Sequence, residues 1–235
     1  MNERIRKNEY DQPIGKEVIG WTTRELPEKF KLEGQYCSLE RVSLEKHLDD
    51  LYEVYGPNSR PENWTYIPLN RFEDKSVFAD YLQTISQSLD PVHYAIIDKS
   101  NGKALGTLAL MRIDQEQGSA EVGFVIYADE LKRTRIATEA QYLAACYIFD
   151  ELGYRRYEWK CDALNEPSRK AALRLGFVFE GVFRQAVVYK ERNRDTAWFS
   201  IIDSEWPKVK QRIETWLAPE NFTEEGKQKS SLNLL

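Results

Sequence analysis

The run Glu121–Ala140, EVGFVIYADELKRTRIATEA, carries the most legible chemistry in the chain. It reads as a strand, a short loop and then directly a helix start. A helix N-terminus leaves about four backbone N–H groups unpaired and carries partial positive charge, so it can take an anion such as a pyrophosphate. Thr134 and Thr138 offer hydroxyl donors there, and Lys132, Arg133 and Arg135 add positive charge. The same residues also suit an ordinary basic helix start, and spacing alone does not choose between the two. The run Asn165–Phe177, NEPSRKAALRLGF, poses the same question. Asn165 can cap a helix whose first turn admits Pro167, and the pattern favours that structural role over a ligand.

Other chemistries find little support. Only two histidines occur, His47 and His93, and three cysteines, Cys37, Cys146 and Cys161, with no Cys-x-x-Cys pair. A disulfide framework, a His/Cys zinc site and any structural metal are therefore not expected. His93 sits in an apolar strand pattern and reads as packed, and Cys146 and Cys161 fall at core spacing. Asp195, within Arg192–Asp195, reads as a turn residue held by a salt bridge, although it could also orient an amine.

The elements that must position these residues follow from composition and period. The chain has 235 residues, 42% of them hydrophobic, with 6 Trp, 13 Tyr and 10 Phe, so it can bury a substantial core. A net charge of −5 lacks the bulk electrostatic footprint for nucleic acid or an anionic membrane. No apolar run approaches the roughly 18 residues of a membrane span, and Met1–Pro13 lacks an apolar signal core. A soluble, cytoplasmic protein is the expectation. Apolar spacing predicts helices over Ser43–Tyr55, Ser76–Leu89, Arg135–Leu152 (capped by Gly153), Pro167–Leu175 (ended by Gly176) and Pro207–Leu217. Strands are expected over His93–Asp98 and Ala104–Ile113, joined at Asn101-Gly102, then Ala120–Tyr127. A half-exposed strand around Tyr157, Trp159 and Cys161 and two more near Phe177–Tyr189 and Thr196–Ile202 complete the set. The order gives a mixed α/β fold around a crossover unit. Residues 1–30 read as an irregular arm, docked through Ile14, Val18 and Trp21, residues 31–217 as the domain, and 218–235 as a loose polar tail.

Taken together and in order, the two runs resemble the GNAT acyltransferase superfamily, in its branch of ribosomal-protein-alanine N-acetyltransferases, over roughly Leu32–Ile202. The family's pyrophosphate loop, Gln/Arg-x-x-Gly-x-Gly/Ala before a helix, maps onto Lys132, Arg133, Thr134, Arg135, Ile136 and Ala137, followed by Thr138. Its later pattern, Asn-x-x-Ser/Ala with Gly-Phe eleven residues after the Asn, is matched by Asn165, Ser168, Gly176 and Phe177, and Phe179–Arg184 also looks like this branch. Two positions depart from the pattern. Arg135 stands where the family has its first loop glycine, and Ala172 where many members place a tyrosine acid.

The resemblance implies a single GNAT-like domain with a mostly antiparallel twisted sheet, a splayed parallel strand pair and helices on both faces. It implies acetyl-CoA as the acetyl donor and a primary amine as acceptor, either a protein N-terminus or a small-molecule amine. Backbone contacts to the pantetheine arm fall to Val125, Ile126 and Tyr127. The pyrophosphate falls to Lys132–Thr138, and Asn165 joins the cofactor-binding set. Glu121, eleven residues before Lys132, matches the catalytic glutamate of histone-acetyltransferase members. As a base it would remove the ammonium proton, its alternative being a strand residue paired with a lysine. Ser168 is the nearest hydroxyl to return a proton to the thiolate, unless it only supports its helix start. An aromatic acceptor wall of Trp64, Tyr66, Ile67 and Phe72 is expected, or else these are core. A CoA-binding module without turnover is the alternative from a different functional class.

Overall fold

The computed structural model describes residues 6–224 and 226–234; the readings made on residues 1–5, 225 and 235 lie outside them. Strands β1 (Arg6–Lys7) and β2 (Pro13–Ile14) form a small hairpin of their own. The main sheet comprises β3 (Lys31–Glu33), β4 (Cys37–Arg41), β5 (Val92–Asp98), β6 (Ala104–Asp114), β7 (Ser119–Tyr127), β8 (Arg156–Asp162), β9 (Val178–Tyr189) and β10 (Arg192–Ile202), in the order β3-β4-β5-β6-β7-β8-β10-β9. All neighbours are antiparallel except β7 and β8. Helices α1 (Leu44–Tyr55), α2 (Lys75–Ser86), α3 (Arg135–Cys146), α4 (Glu166–Leu175) and α5 (Trp206–Leu217) cover the two faces.

Local chemistry sets the boundaries. Ser43 caps α1 by accepting from Lys46 N, Asp74 caps α2 through Ser76 N, and Gly176 ends α4 at φ 104°. One face of the sheet carries Leu110, Val122, Trp159 and Phe199, which pack with Ala140, Ala144 and Ile148 into the larger core. The other face, over β5–β7, packs Ala95, Ala104 and Ile126 under Leu51, Tyr55, Phe78 and Leu82 of α1 and α2. Because β7 and β8 are consecutive parallel strands, the connection must cross over, and α3 is that crossover. A single buried carboxylate pins it. Glu139 accepts the amides of Gln35, Tyr36 and Cys37, each at 2.7 Å, and so ties the first turns of α3 to the β3–β4 turn. Gly34 is required beside it, since a Cβ there would lie 2.6 Å from the Glu139 carboxyl carbon.

Several elements differ from the sequence reading. Strands β3 and β4 were not anticipated; with three and five residues they are too short to show a period. The Arg135–Leu152 helix keeps α geometry only to Cys146 and continues as a π-turn over Tyr147–Glu151. Strand β8 alternates as expected, with Tyr157, Trp159 and Cys161 buried and Glu158 and Lys160 only partly exposed, the Lys160 side chain itself 6% exposed. The arm docks through Trp21, whose Nε1 donates to the Glu116 carbonyl at 2.7 Å and whose ring lies against Gly118, while Ile14 and Val18 are exposed. The tail is packed rather than loose. Phe222 and Leu232 are buried with Ile213, Trp216 and Leu217 of α5, and Arg212 holds the Leu232 carbonyl at 3.1 Å.

These contacts generate two stability tests by urea unfolding. Glu139→Ala strands three amides that share one charged acceptor and should cost about 3 kcal/mol. Leu232→Ala removes a fully buried side chain and should cost about 2–4 kcal/mol if the tail is integral to the fold. A change below about 0.5 kcal/mol would mean that the tail is dispensable.

Candidate active site

The parallel register of β7 and β8 runs only from Ser119–Arg156 to Val122–Trp159, although β7 continues to Tyr127 and β8 to Asp162. Beyond that fork the strands separate. On the other edge of β7, Thr107 pairs with Ile126 and Ala109 with Gly123, so β7 carries one extra residue, a bulge. Phe124 sits in it at φ 46°, a left-handed conformation, with its carbonyl held by Thr107 Oγ1 at 3.3 Å. The bulge bends β7 away from β8 and turns Ile126 into the α1–α2 core. Gly106 permits the close approach, because a Cβ there would meet the Ile126 carbonyl oxygen at 2.4 Å. Val125, Ile126 and Tyr127 therefore border the cleft with one backbone edge that β8 does not pair.

The helix α3 starts at the mouth of this cleft. The amides of Arg133, Arg135 and Ile136 have no acceptor among the described residues. Arg133 adopts φ 64°, which turns the chain into the helix. The side chains here behave differently from the sequence expectation. Thr134 Oγ1 donates to the Leu131 carbonyl at 2.7 Å and accepts from Ala137 N at 3.2 Å, so its hydroxyl and the Ala137 amide serve the cap. Thr138 is buried, with its hydroxyl on the Thr134 carbonyl and under Arg174 Nη1 at 3.1 Å. The Lys132 ammonium lies on Asp129 and Asn63. Arg135, at the glycine position, extends its guanidinium over the rings of Tyr36 (4.2 Å) and Phe222 (5.5 Å). An anion at this turn would meet backbone amides and the helix field rather than free hydroxyls.

Glu121 lies at the fork, in register with Glu158. Its side chain is 8% exposed, with Oε2 2.9 Å from Lys160 Nζ and 3.4 Å from Arg112 Nε. The lysine pairing that sequence left as the alternative is therefore present, but neither Oε2 nor Lys160 Nζ completes hydrogen-bond geometry. Lys160 Nζ also lies 2.6 Å from Glu158 and 3.8 Å from the centroid of Trp198. Burial pushes the Glu121 carboxyl above its ordinary range against the pull of Lys160 and Arg112, with Glu158 adding to the push. Burial also works against Glu158, yet Lys160 and Arg156 hold it below its ordinary range. Lys160, Glu158, Arg112 and Trp198 escaped the sequence reading. The alternation of β8 was visible, but the cross-strand register that gathers these groups was not.

Ser168 lies on the other side of the sheet. Its Oγ accepts from Trp159 Nε1 at 2.9 Å, and Trp159 alternates with Glu158 along β8. Asn165 caps α4 through Ser168 N at 3.2 Å, which is the structural role the pattern favoured. His93 is packed against Phe124, and burial pushes its pKa down to about 4. Asp195 is a hairpin residue that accepts Gln185 N at 2.7 Å and Asn193 Nδ2 at 2.9 Å. Of the expected aromatic wall, Trp64, Ile67 and Phe72 pack with the α1–α2 core, while Tyr66 reaches the Leu164 carbonyl at 3.2 Å. The Trp64 and Thr65 carbonyls accept from Lys190 at 2.8 Å and Arg192 at 2.6 Å at the tip of the β9–β10 hairpin. The segment over residues 60–67 therefore bridges to the β8–α4 turn and to that hairpin. Among the described residues no His/Cys/Asp/Glu group could hold a metal ion, and no helix is long and apolar enough to cross a membrane.

Comparison with known proteins agrees with this geometry. The family model for the acetyltransferase (GNAT) domain matches residues 38–178. A Bacillus licheniformis protein named uncharacterized N-acetyltransferase p20 is 32% identical over 171 residues, 71% of this chain and 96% of that protein. A crystal structure of a GCN5-related N-acetyltransferase from Brucella melitensis superposes with a TM-score of 0.90 at 46% identity, covering 92% of this chain and 98% of that one. The microcin C7 self-immunity acetyltransferase MccE, solved with acetyl-CoA and AMP, shares the fold at a TM-score of 0.64 and 21% identity, over 72% of this chain and 93% of that one. With its forked parallel pair, open helix N-terminus and matched family model, the chain belongs to the GNAT acetyltransferases, enzymes that take their acetyl group from acetyl-CoA.

Proposed function

We propose that this enzyme acetylates a primary amine, the α-amino group of a protein or a small-molecule amine, by direct attack on the thioester at the fork of β7 and β8. The observation that carries the reading is the fork itself. It leaves one edge of β7 unpaired next to an open helix N-terminus, and a buried carboxylate stands at its apex. In this reading residues 31–217 form the catalytic unit. The unpaired edge at Val125–Tyr127 would hold the pantetheine arm as an added strand. The free amides of Arg133, Arg135 and Ile136, with the field of α3, would hold the pyrophosphate, while Lys132, Thr134, Ala137 and Thr138 shape the turn. Acetyl-CoA supplies an activated acyl group on a good leaving group, so the protein's tasks are to orient it, to free the amine of its extra proton and to accommodate the thiolate.

Glu121 performs the proton removal in this account. It is the carboxylate at the fork, and its raised pKa makes it a better base than a solvated glutamate. Ser168 and Asn165 lie across the sheet, on the α4 side. There the Ser168 hydroxyl, whose oxygen accepts from Trp159 and which lies beside the Cys161 thiol, would have to turn its proton from that thiol to the departing sulfur. The opposite placement of Glu121 and Ser168 suits a thioester threaded between the strands, with the amine arriving on one face and the thiolate protonated on the other.

Incubation with acetyl-CoA and a panel of small amines and N-terminal peptides, with free thiol monitored, should show acceptor-dependent release. A thermal shift with CoA but no thiol release across the panel would favour a binding module. Glu121→Gln should lower kcat/KM by about 100-fold or more and remove the acid limb of the pH profile, where the protonated carboxyl cannot accept a proton. An unchanged profile would reassign the base. Ser168→Ala should cost kcat less, about tenfold or below, because a thiolate leaves readily without an acid.

A further inference from the structure

The groups around Glu121 form an unusual charge pattern. Lys160 is a buried ammonium shared by two buried carboxylates, with side-chain exposures of 6% for Lys160, 8% for Glu121 and 14% for Glu158. Trp198 lies across its remaining side at 3.8 Å. Among the described residues, the charged contact to Glu121 from β6 is Arg112, 60% exposed and 3.4 Å away. From β8 the contacts are Lys160 and the in-register Glu158, and β10 presents the uncharged indole. On the same face, His93 of β5 lies behind Phe124 and stays neutral above pH about 4. Glu158 is itself engaged by Arg156 at 2.6 Å, which in turn holds Glu180. Every charge facing Glu121 is thus accounted for, and one of them, Lys160, has to choose between two carboxylates.

We propose that Lys160 is a positioning residue for catalysis, which holds the Glu121 carboxylate ionised at the fork, while Glu158 draws on the same ammonium and keeps Glu121 basic enough to take a proton. This rests on the reading of Glu121 as the base. Geometry supports the division of labour. A lysine committed to Glu121 alone would hold it by direct hydrogen bonds and oppose protonation. Here Lys160 Nζ lies close to both carboxylates but completes hydrogen-bond geometry with neither, and the shorter of the two contacts is to Glu158. The Trp198 ring prevents the ammonium from turning to water, so its charge stays between the carboxylates. An ion pair that did not bear on the catalytic base would matter for stability and leave the working pH alone.

The test is the pH profile of kcat/KM for one fixed amine acceptor, so that the acceptor's own ionisation is common to every variant. Lys160→Met keeps an unbranched chain of similar length beside Trp198 and removes the charge, and it should move the acid limb up by about one pH unit or more. Glu158→Gln should move the limb the opposite way, down by about half a unit or more, because Lys160 then serves Glu121 alone. Both variants should bind acetyl-CoA with an unchanged dissociation constant. If Glu121→Gln abolishes the limb but neither Lys160→Met nor Glu158→Gln shifts it, this proposal is overturned and Glu121 remains the base. If the limb survives Glu121→Gln, the base assignment itself falls, and the proposal with it. Should Lys160→Met fail to fold, Glu158→Gln decides alone. A downward shift supports the proposal, and a fixed limb sinks it.

Discussion

A β-sheet that is otherwise closed strand to strand opens at one place, and the backbone there must find partners. Buried amides and carbonyls without partners are costly, and folded proteins tolerate few of them. Past Val122 and Trp159, the facing edges of β7 and β8 no longer serve each other. The separation is built into the backbone course and packing of β7. The extra residue at Phe124 changes the course of β7, Gly106 lets it settle against β6, and Ile126 is committed to the α1–α2 core. On the other side, β8 is held by its full antiparallel register with β10, and Asp162 at its end accepts from the Tyr189 hydroxyl at 2.8 Å and from Leu164 N at 2.9 Å. Each strand is anchored to a different body of the protein, so the cleft cannot close without breaking one of them.

That constraint orders the chemistry around it. The α3 N-terminus can face the cleft because Glu139 fixes the helix to the β3–β4 turn. The arginine at the glycine position of the loop is accommodated in the same region. Its backbone keeps the amide free, and its side chain lies over Tyr36 and Phe222, the latter supplied by the packed C-terminal segment. A loop residue that breaks the family pattern is thus matched by residues far from it in sequence.

Much of this was legible beforehand, and the failures have a common cause. Local signals carried the helices α1, α2, α4 and α5, the Asn101-Gly102 turn, and the strand-loop-helix around Glu121 to Thr138. Each depends on neighbours within a few residues: a cap, an apolar period or a glycine at positive φ. Non-local pairing was out of reach. Nothing near Lys160 announces that Glu121, 39 positions earlier, will be its cross-strand neighbour. The polar composition of the last 18 residues hid two anchors, Phe222 and Leu232, whose partners sit on α5. Thr134 and Thr138 had the right type for phosphate donors, but a helix start uses such hydroxyls first for itself.

On the proposed reading, the bridge over residues 60–67 would bear on which amines can arrive. Lys190 and Arg192 hold the carbonyls of Trp64 and Thr65, and Tyr66 holds that of Leu164, so the α1–α2 connection is tied to both the hairpin tip and the β8–α4 turn. All three are side chain to backbone bonds, and two of them hold the segment by its carbonyls, so there they fix where the chain runs without prescribing the side chains at those positions; only Tyr66 contributes its own hydroxyl. The fork and the α3 amides stand on strand register and helix geometry, which few substitutions preserve. On the proposed reading, recognition of the acetyl donor would rest on the rigid sheet and recognition of the acceptor on connections such as this one, which can change without disturbing it.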